Sequence, residues 1–94
     1  MKVVWTRLAL ADLANARAYI AEERPAAAAK TVERIEEALV ALVRHPEVGR
    51  PGRVEGTREL VVTGTPFIIP YRIHSKRVEI LAVLHGARRW PDEL

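Results

Sequence analysis

The sequence contains no cysteine. This absence excludes a disulfide scaffold, a zinc site built from thiolates and a cysteine nucleophile, and it fits a reducing compartment. The three histidines, His45, His74 and His85, lack the close spacing of metal ligands. We therefore expect no metal site, and nothing in the sequence indicates a cofactor.

Long apolar runs are also missing. Nowhere do about 18 apolar residues follow one another, as a membrane-spanning helix requires. The opening residues, 1–6, contain too short an apolar stretch for a secretory signal. We expect a soluble cytoplasmic protein with no membrane partner.

Aromatic residues make up only 5% of the chain, but hydrophobic residues make up 49% and charged residues 29%. This balance is too apolar for intrinsic disorder. A chain of 94 residues has room for one core, which buries about two-thirds of the unfolded surface. We expect a single domain over residues 1–94.

The positive charge is unevenly distributed. The net charge is +3 at pH 7, with six basic and six acidic residues up to Val43, and nine basic and six acidic residues from Arg44 onward. A basic C-terminal half favours an acidic partner, either a protein or a nucleic acid. A solvated surface without a partner would explain the same asymmetry.

The first half of the sequence predicts a short strand and a helical hairpin. Residues 2–5 are mostly β-branched or aromatic, as in strands, and Thr6 offers an oxygen that can cap a helix from Arg7 to about Glu23. Pro25 favours the first turn of a second helix, which ends near Arg44. Apolar residues at helical spacing predict the buried faces: Ala9, Leu13, Ala16 and Ile20 in the first helix, with Tyr19 and Trp5 at the core or its edge, and Ala28, Val32, Ile35, Leu39 and Leu42 in the second.

The second half predicts a sheet. Residues 46–56 contain two prolines and three glycines and predict a surface loop. The pattern then changes to that of strands over residues 57–63, 67–74 and 77–85, with a tight turn near Ser75 and Lys76 and apolar residues on both faces of the last strand. The predicted fold class is therefore α+β, with a short N-terminal strand, a two-helix hairpin and a three-stranded antiparallel meander.

Pro70 lies in the middle strand of this predicted meander. Proline has no N–H to donate to a strand ladder. We therefore expect this strand to form a local edge, or to carry a bulge, at Pro70.

These elements, in this order and spacing, resemble the RelE/ParE toxins. The motifs that carry the resemblance are Ala9-x-x-Asp12-Leu13 and Tyr19-Ile20 in the first helix, Leu42-x-x-x-Pro46-x-x-Gly49-Arg50 at the helix exit, Gly56-Thr57-Arg58-Glu59-Leu60 at the start of the sheet, Tyr71, and Ile80-Leu81-x-Val83-Leu84-His85 in the last strand. The resemblance covers nearly the whole chain. It implies the toxin of a type II toxin-antitoxin system.

Two targets known for this family require different residues. ParE-like members poison DNA gyrase by binding, whereas RelE-like members cut messenger RNA on the ribosome with several Arg and Lys side chains and often a C-terminal Tyr. Arg58 matches that set, but Ile68 stands where a second arginine is expected, and no tyrosine follows Tyr71. The resemblance therefore implies a protein nearer to ParE, and a binding protein rather than an enzyme.

The RNA-cutting alternative depends on Arg58 and His85. Arg58 would hold a phosphate, and His85 would act as an acid or a base, the role that histidine most often has in proton transfer. A hydrogen-bonded structural role is the alternative for a histidine that lies among apolar residues. A third hypothesis is a degenerate member that only assembles with its antitoxin as a DNA-binding repressor.

We also predict a basic surface that binds the target or a phosphate. Its members are Arg58, Arg72, Arg88, Arg89 and Trp90. Arg58 could instead pair with Glu59 or Glu79, and surface arginines are often merely solvated. Trp90 either packs back on the sheet or anchors a partner.

The resemblance further implies a ParD-like antitoxin with a ribbon-helix-helix start, whose flexible C-terminal segment folds on the toxin to form a hetero-oligomer. A helical hairpin on a small sheet leaves a shallow groove that such a segment can fill. The expected antitoxin contacts are Leu13, Tyr19, Ile20 and Leu39. Packing in the core is the alternative role of the same apolar stripe.

Overall fold

The computed structural model describes residues 1–86, which form two helices and one mixed sheet. The elements are β1 (Lys2–Trp5), α1 (Arg7–Glu23), α2 (Pro25–Arg44), β2 (Arg50–Pro51), β3 (Arg58–Val61), β4 (Phe67–His74), β5 (Arg77–Ile80) and β6 (Leu84–His85). The strand order is β1-β5-β4-β3-β2, and β6 pairs with β4 beyond the end of β5. The predicted α+β class is confirmed. Within residues 1–86, neither helix is long and apolar enough to cross a membrane.

Both helices begin where local sequence signals place them. The side-chain oxygen of Thr6 accepts the N–H of Ala9 at 3.1 Å and so caps α1. The N–H of Arg24 donates to the carbonyl of Ile20 at 2.8 Å at the end of α1. Pro25 then begins α2, where the absence of its N–H breaks no helical hydrogen bond.

The helical hairpin covers one face of the sheet and forms the core with it. The main buried side chains of this core are Ala9, Ile35 and Leu42 from the helices and Val62, Ile69, Tyr71, Val78 and Ile80 from the sheet region. Trp5 packs against the core in a partly buried position, as predicted. Tyr19 is 55% exposed, so its predicted place at the core edge is wrong. It precedes Ile20 on α1, and successive helical residues point about 100° apart.

The N-terminal strand, whose partner the sequence leaves open, pairs in parallel with β5. The register runs from Lys2 opposite Arg77 to Trp5 opposite Ile80. A parallel pair needs a long crossover connection, and here the connection contains the helical hairpin and β2, β3 and β4. The predicted antiparallel meander is present as β3, β4 and β5. Its tight turn has left-handed φ angles at both Ser75 and Lys76, as a type I′ hairpin turn requires.

The predicted last strand is divided into β5 and β6 by a bulge. β5 ends with Ile80 opposite Tyr71, and β6 begins with Leu84 opposite Ile68. Three residues, 81–83, therefore face two residues of β4, and the extra residue interrupts the ladder. All three are buried, as expected for a strand with apolar residues on both faces, but the extra residue breaks the regular alternation of faces expected across residues 77–85.

Pro70 lies at this interruption. Its carbonyl accepts the N–H of Leu81 at 2.9 Å. Proline has no N–H to donate, and the bulge removes the need for one at this position. The predicted interruption of the ladder at Pro70 is present, but the extra residue lies in residues 81–83 opposite Pro70 and not in the middle strand itself.

The predicted surface loop over residues 46–56 contains a strand. In β2, Arg50 pairs with Glu59 and Pro51 pairs with Arg58. The N–H of Gly52 donates to the carbonyl of Thr57 at 2.8 Å and continues this hairpin. A two-residue strand that contains proline gives too little pattern to be recognised in the sequence.

Candidate interaction site

Tyr71 and Arg58 fix the loop that follows α2. The buried hydroxyl of Tyr71 donates to the carbonyl of Pro46 at 2.7 Å and accepts the N–H of Gly49 at 2.9 Å. Arg58 lies opposite Tyr71 in the sheet, and its Nη1 donates to the carbonyls of Glu47, at 3.0 Å, and Gly49, at 2.9 Å. This guanidinium is therefore bound to backbone carbonyls of its own chain.

The pKa of Tyr71 is raised above its ordinary value. Burial is the largest cause, and the Gly49 N–H and the positive charge of Arg58 lower the pKa in part. The hydroxyl therefore keeps its proton at neutral pH and serves as both donor and acceptor. Its contacts give it a structural role in holding the loop.

Arg72 points to the opposite face of the sheet from Arg58. Successive residues of a strand alternate faces, and Tyr71, which pairs with Arg58, lies in the core under the helices. The Nε of Arg72 lies 3.3 Å from Oε1 of Glu79, and the arginine side chain is 50% exposed. The structure therefore does not bring Arg58 and Arg72 onto one basic surface. The other predicted members of that surface, Arg88, Arg89 and Trp90, lie outside the described residues.

A second ion pair lies on the same face of the sheet as Arg72. Glu59 is only 4% exposed, and its Oε1 lies 3.1 Å from Nη2 of Arg50. Its other oxygen accepts the backbone N–H of Arg53 at 2.9 Å. These donors satisfy a carboxylate that would otherwise be costly to bury. Because Glu59 binds Arg50 and Glu79 binds Arg72, neither acid is the partner of Arg58 that the sequence suggested.

A groove with a cavity volume of about 300 Å³ lies between α1 and β6, and we call it the α1–β6 groove. Its lining residues are Asp12, Asn15, Ala16 and Tyr19 from α1 and Phe67, Val83, Leu84 and His85 from the sheet side. The ring of His85 packs edge-on against Phe67, with the ring centres 5.8 Å apart. The groove thus unites Tyr19, predicted as an antitoxin contact, with His85, predicted as an acid or base.

Asp12 joins α1 to the bulge beside this groove. Its Oδ2 accepts the N–H of Val83 at 3.1 Å, across 71 residues of sequence. The bond satisfies a buried backbone donor that the bulge removes from the ladder. In the sequence, Asp12 stands out only as part of the motif Ala9-x-x-Asp12-Leu13. The available signal was a carboxylate next to Leu13, at the border of an apolar helix face.

Arg58 and His85 do not converge. Arg58 pairs with Tyr71 on one side of β4, whereas His85 pairs with Phe67 on the other side. Phe67 and Tyr71 are four positions apart, a distance of about 13 Å along a strand. The structure therefore separates the two residues on which the RNA-cutting alternative depends.

The predicted antitoxin contacts differ in their exposure. Leu13, Ile20 and Leu39 are partly buried against the core, so much of their apolar surface stabilises the fold. Tyr19 is largely exposed at the α1–β6 groove. Within the described part of the chain, no three potential metal ligands lie close enough to hold an ion.

Two named relatives are similar to nearly the whole chain. "Putative toxin Y4kP" of Sinorhizobium fredii (strain NBRC 101917 / NGR234) is 50% identical over 93 residues, which are 99% of this chain and 96% of the relative. "Toxin RelE2" of Caulobacter vibrioides (strain ATCC 19089 / CIP 103742 / CB 15) is 40% identical over 87 residues, which are 93% of this chain and 97% of the relative.

Solved structures and a family model agree with these relatives. A chain of the "Chromosomal ParDE TA system from P. aeruginosa" matches with a TM-score of 0.81 and 34% identity, over 90% of this chain and 95% of that chain. A chain of the "YoeB-YefM complex from Staphylococcus aureus", with a TM-score of 0.58 and 16% identity over 88% of this chain and 93% of that chain, is similar in fold alone. The model of the ParE toxin of type II toxin-antitoxin systems, parDE, matches residues 3–90. The resemblance found in the sequence is thus confirmed, and this chain belongs to the ParE toxin family of type II toxin-antitoxin systems.

Proposed function

We propose that this chain acts in the cytoplasm as a single-domain toxin that inhibits DNA gyrase or a related topoisomerase by binding to it. A ParD-like antitoxin neutralises the toxin by forming a hetero-oligomer with it. The proposal rests mainly on the hydrogen bonds of Arg58, whose Nη1 donates to the carbonyls of Glu47 and Gly49. An RNA-cutting site needs its cations directed at the phosphate on which charge develops.

The position of His85 supports the same proposal. Its ring packs on Phe67 beside α1, on the far side of β4 from Arg58. A general acid or base must come within hydrogen-bond reach of the group that it protonates or deprotonates. A phosphate held by Arg58 would lie beyond that reach.

Contact with the target is assigned to the exposed end of the β4–β5 hairpin. Arg72, Lys76 and Arg77 are all exposed there, and Arg72 and Arg77 lie on the face opposite the helices. A cluster of like charge on one strand pair attracts an acidic partner surface. We propose that Arg88, Arg89 and Trp90 also contribute to target binding.

Contact with the antitoxin is assigned first to Tyr19. Its ring is exposed beside the α1–β6 groove, whereas Leu13, Ile20 and Leu39 are partly buried against the core. Tyrosine is enriched among the residues that dominate binding energy at interfaces. A Tyr19→Ala variant should therefore bind the antitoxin at least tenfold more weakly.

The proposed target is tested with purified chain, gyrase and supercoiled plasmid. We expect accumulation of cleaved DNA–gyrase complex, and at least a tenfold loss of this effect in Arg72→Gln/Arg77→Gln. The matched control, Arg7→Gln/Arg17→Gln, removes the same charge from exposed positions of α1 and should keep the effect.

Messenger RNA cleavage is the second candidate, because one relative bears the name RelE2. The same preparation is therefore incubated with translating ribosomes, and the ends of the transcripts are mapped. Cut transcripts with intact plasmid would overturn the gyrase proposal in favour of this candidate. Antitoxin binding without either effect would identify a degenerate member that serves only in a repressor complex.

A further inference from the structure

Part of one sheet edge is uncovered within residues 1–86. β2 covers β3 only at Arg58 and Glu59. The N–H of Val62 donates to the carbonyl of Phe67 at 3.1 Å, so Val62 continues the ladder to β4. Beyond Glu59, the outer side of β3 and of the residues that follow it faces no other strand of the described chain.

The backbone groups that point outward follow from these hydrogen bonds. In a trans peptide unit the C=O and the following N–H point in opposite directions. Because the N–H of Val62 points to β4, the C=O of Val61 points to the open edge. In an antiparallel ladder the N–H and C=O of one residue point to the same side, so the N–H of Val61 also points to the open edge. The C=O of Val62 accepts the N–H of Thr65, so the N–H of Thr63 also points outward.

This edge is short, but it has none of the other features that usually prevent strand addition. Natural edges carry lysine, proline or a bulge, or are covered by another element. Here Val61 is 49% exposed and Thr63 is exposed, and both are β-branched residues that favour strands. Within the described residues no hydrogen bond occupies the outward groups of Val61.

An apolar groove lies beside the edge. It has a cavity volume of about 330 Å³ and runs between α2 and β3. Ala38 and Ala41 line it from α2, and their small side chains leave space that Val48 and Leu60 border with apolar surface. Every second side chain of an added strand would enter this groove, because side chains alternate between the two faces of a sheet.

One end of the groove is cationic. A second cavity of about 350 Å³ shares Arg34 with the first and is also lined by Lys30 and Gly64. Arg34 lies 3.9 Å from Glu37, but both side chains are about half exposed, at 43% and 59%, so the pair is weak. The two cations favour a carboxylate on whatever segment lies near Gly64.

We propose that the outer edge of residues 60–63, together with the groove along α2, is a strand-addition site for an extended segment of the antitoxin. The segment adds backbone hydrogen bonds at Val61 and Thr63 and directs small apolar side chains into the groove at alternate positions. It carries a carboxylate near Lys30 and Arg34. This inference rests on the proposed antitoxin partnership, and it places the contact on the α2 flank of the hairpin, away from Tyr19.

The test is amide hydrogen exchange of the purified chain, alone and bound to the antitoxin encoded beside its gene. We expect the amides of Val61 and Thr63 to exchange rapidly in the chain alone and at least 100-fold more slowly in the complex. The amides of Leu60 and Val62 point to β4 and are the internal controls, protected in both states.

Three other outcomes would overturn the inference. Antitoxin binding without protection of Val61 and Thr63 would overturn it and leave the proposed function intact. Absence of antitoxin binding would overturn both. Protection in the chain alone that rises with its concentration would assign the edge to a second copy of the chain.

Variants give an independent test by antitoxin affinity. Val61→Pro removes an outward N–H without removing a bond to β4 and should weaken binding at least tenfold, whereas Val61→Thr keeps the N–H and should bind within twofold of the wild type. Ala41→Phe fills the groove without changing the backbone and should also lose at least tenfold. Its matched control, Ala29→Phe, changes an exposed alanine of α2 outside the groove lining and should bind normally. Equal affinity in all four variants would overturn the inference.

Discussion

Gly49 and Tyr71 fit together so closely that no other residue can replace the glycine without movement. A Cβ atom on Gly49 would lie 2.6 Å from both Cε1 and the hydroxyl oxygen of Tyr71. The same hydroxyl accepts the Gly49 N–H at 2.9 Å. Glycine is therefore required here by the space that the ring occupies, and this contact sets the position of the carbonyl that Arg58 binds.

Tyr71→Phe should destabilise the protein by about 1–3 kcal/mol, because it leaves the N–H of Gly49 and the carbonyl of Pro46 without their buried partner. The measurement is the free energy of unfolding in urea. Tyr19→Phe removes the same hydroxyl from a ring that is 55% exposed, where water can replace a lost hydrogen bond, and should cost less stability than Tyr71→Phe. Equal losses in the two variants would refute a special role for the Tyr71 hydroxyl.

Alkaline pH should destabilise the folded protein through the same residue. Because burial raises the pKa of Tyr71, the unfolded chain loses the phenolic proton first, at a pH of about 10. Below that pH the contribution of Tyr71 to stability is fully present. Above it the unfolded state binds fewer protons than the folded state, so the free energy of unfolding falls until the folded-state pKa is passed.

Urea unfolding at a series of pH values checks this alkaline loss. Above a pH of about 10 the wild type should lose more stability than Tyr71→Phe, which has no phenolic proton to release at position 71. Parallel pH curves for the two proteins would contradict the prediction, since all other titrating groups are shared.

Glu59→Gln should cost about 1–3 kcal/mol of stability. The carboxylate is almost fully buried and binds Arg50 and the backbone N–H of Arg53, and hydrogen bonds to a charged group are stronger than those to a neutral amide. Glu79→Gln is the matched change in a cross-strand pair whose Arg72 side chain is half exposed, and it should cost less than about 1 kcal/mol. Thermal and urea unfolding of both variants would decide, and a larger loss in Glu79→Gln would reverse the ranking.

Asp12→Ala should loosen the bulge rather than α1. The variant leaves the buried N–H of Val83 without its acceptor, so the exchange rate of this amide should rise at least tenfold. Asn15→Ala, an exposed change in the same groove, should leave the rate within twofold of the wild type. An unchanged Val83 rate in Asp12→Ala would mean that the bond does not hold the bulge.

The helices could be predicted from the sequence because their signals are local. The capping bond of Thr6 joins it to Ala9, three residues away, and Pro25 sets the start of α2 by its own backbone geometry. The pairing of β1 could not be predicted in this way. Lys2 lies opposite Arg77, and nothing in four residues of β1 specifies a partner strand so distant in the chain.

The candidate sites show the same limit. Tyr71 and Arg72 are neighbours in the sequence, so their opposite directions follow from the strand period alone. The face of Arg58 depends on its register with Tyr71, which only the assembled sheet defines. The role of Asp12 likewise depends on a partner 71 residues away. Residue types identified the family, but the long-range register decided which side chains meet.

The parallel pairing of β1 with β5 also has a consequence for how the toxin is made. Protein synthesis runs from the N-terminus at about 5–20 residues per second, so Lys2 leaves the ribosome several seconds before Arg77. Until residues 77–80 emerge, the first strand has no partner and the fold is incomplete. A growing chain therefore cannot complete this sheet until residues 77–80 have left the ribosome.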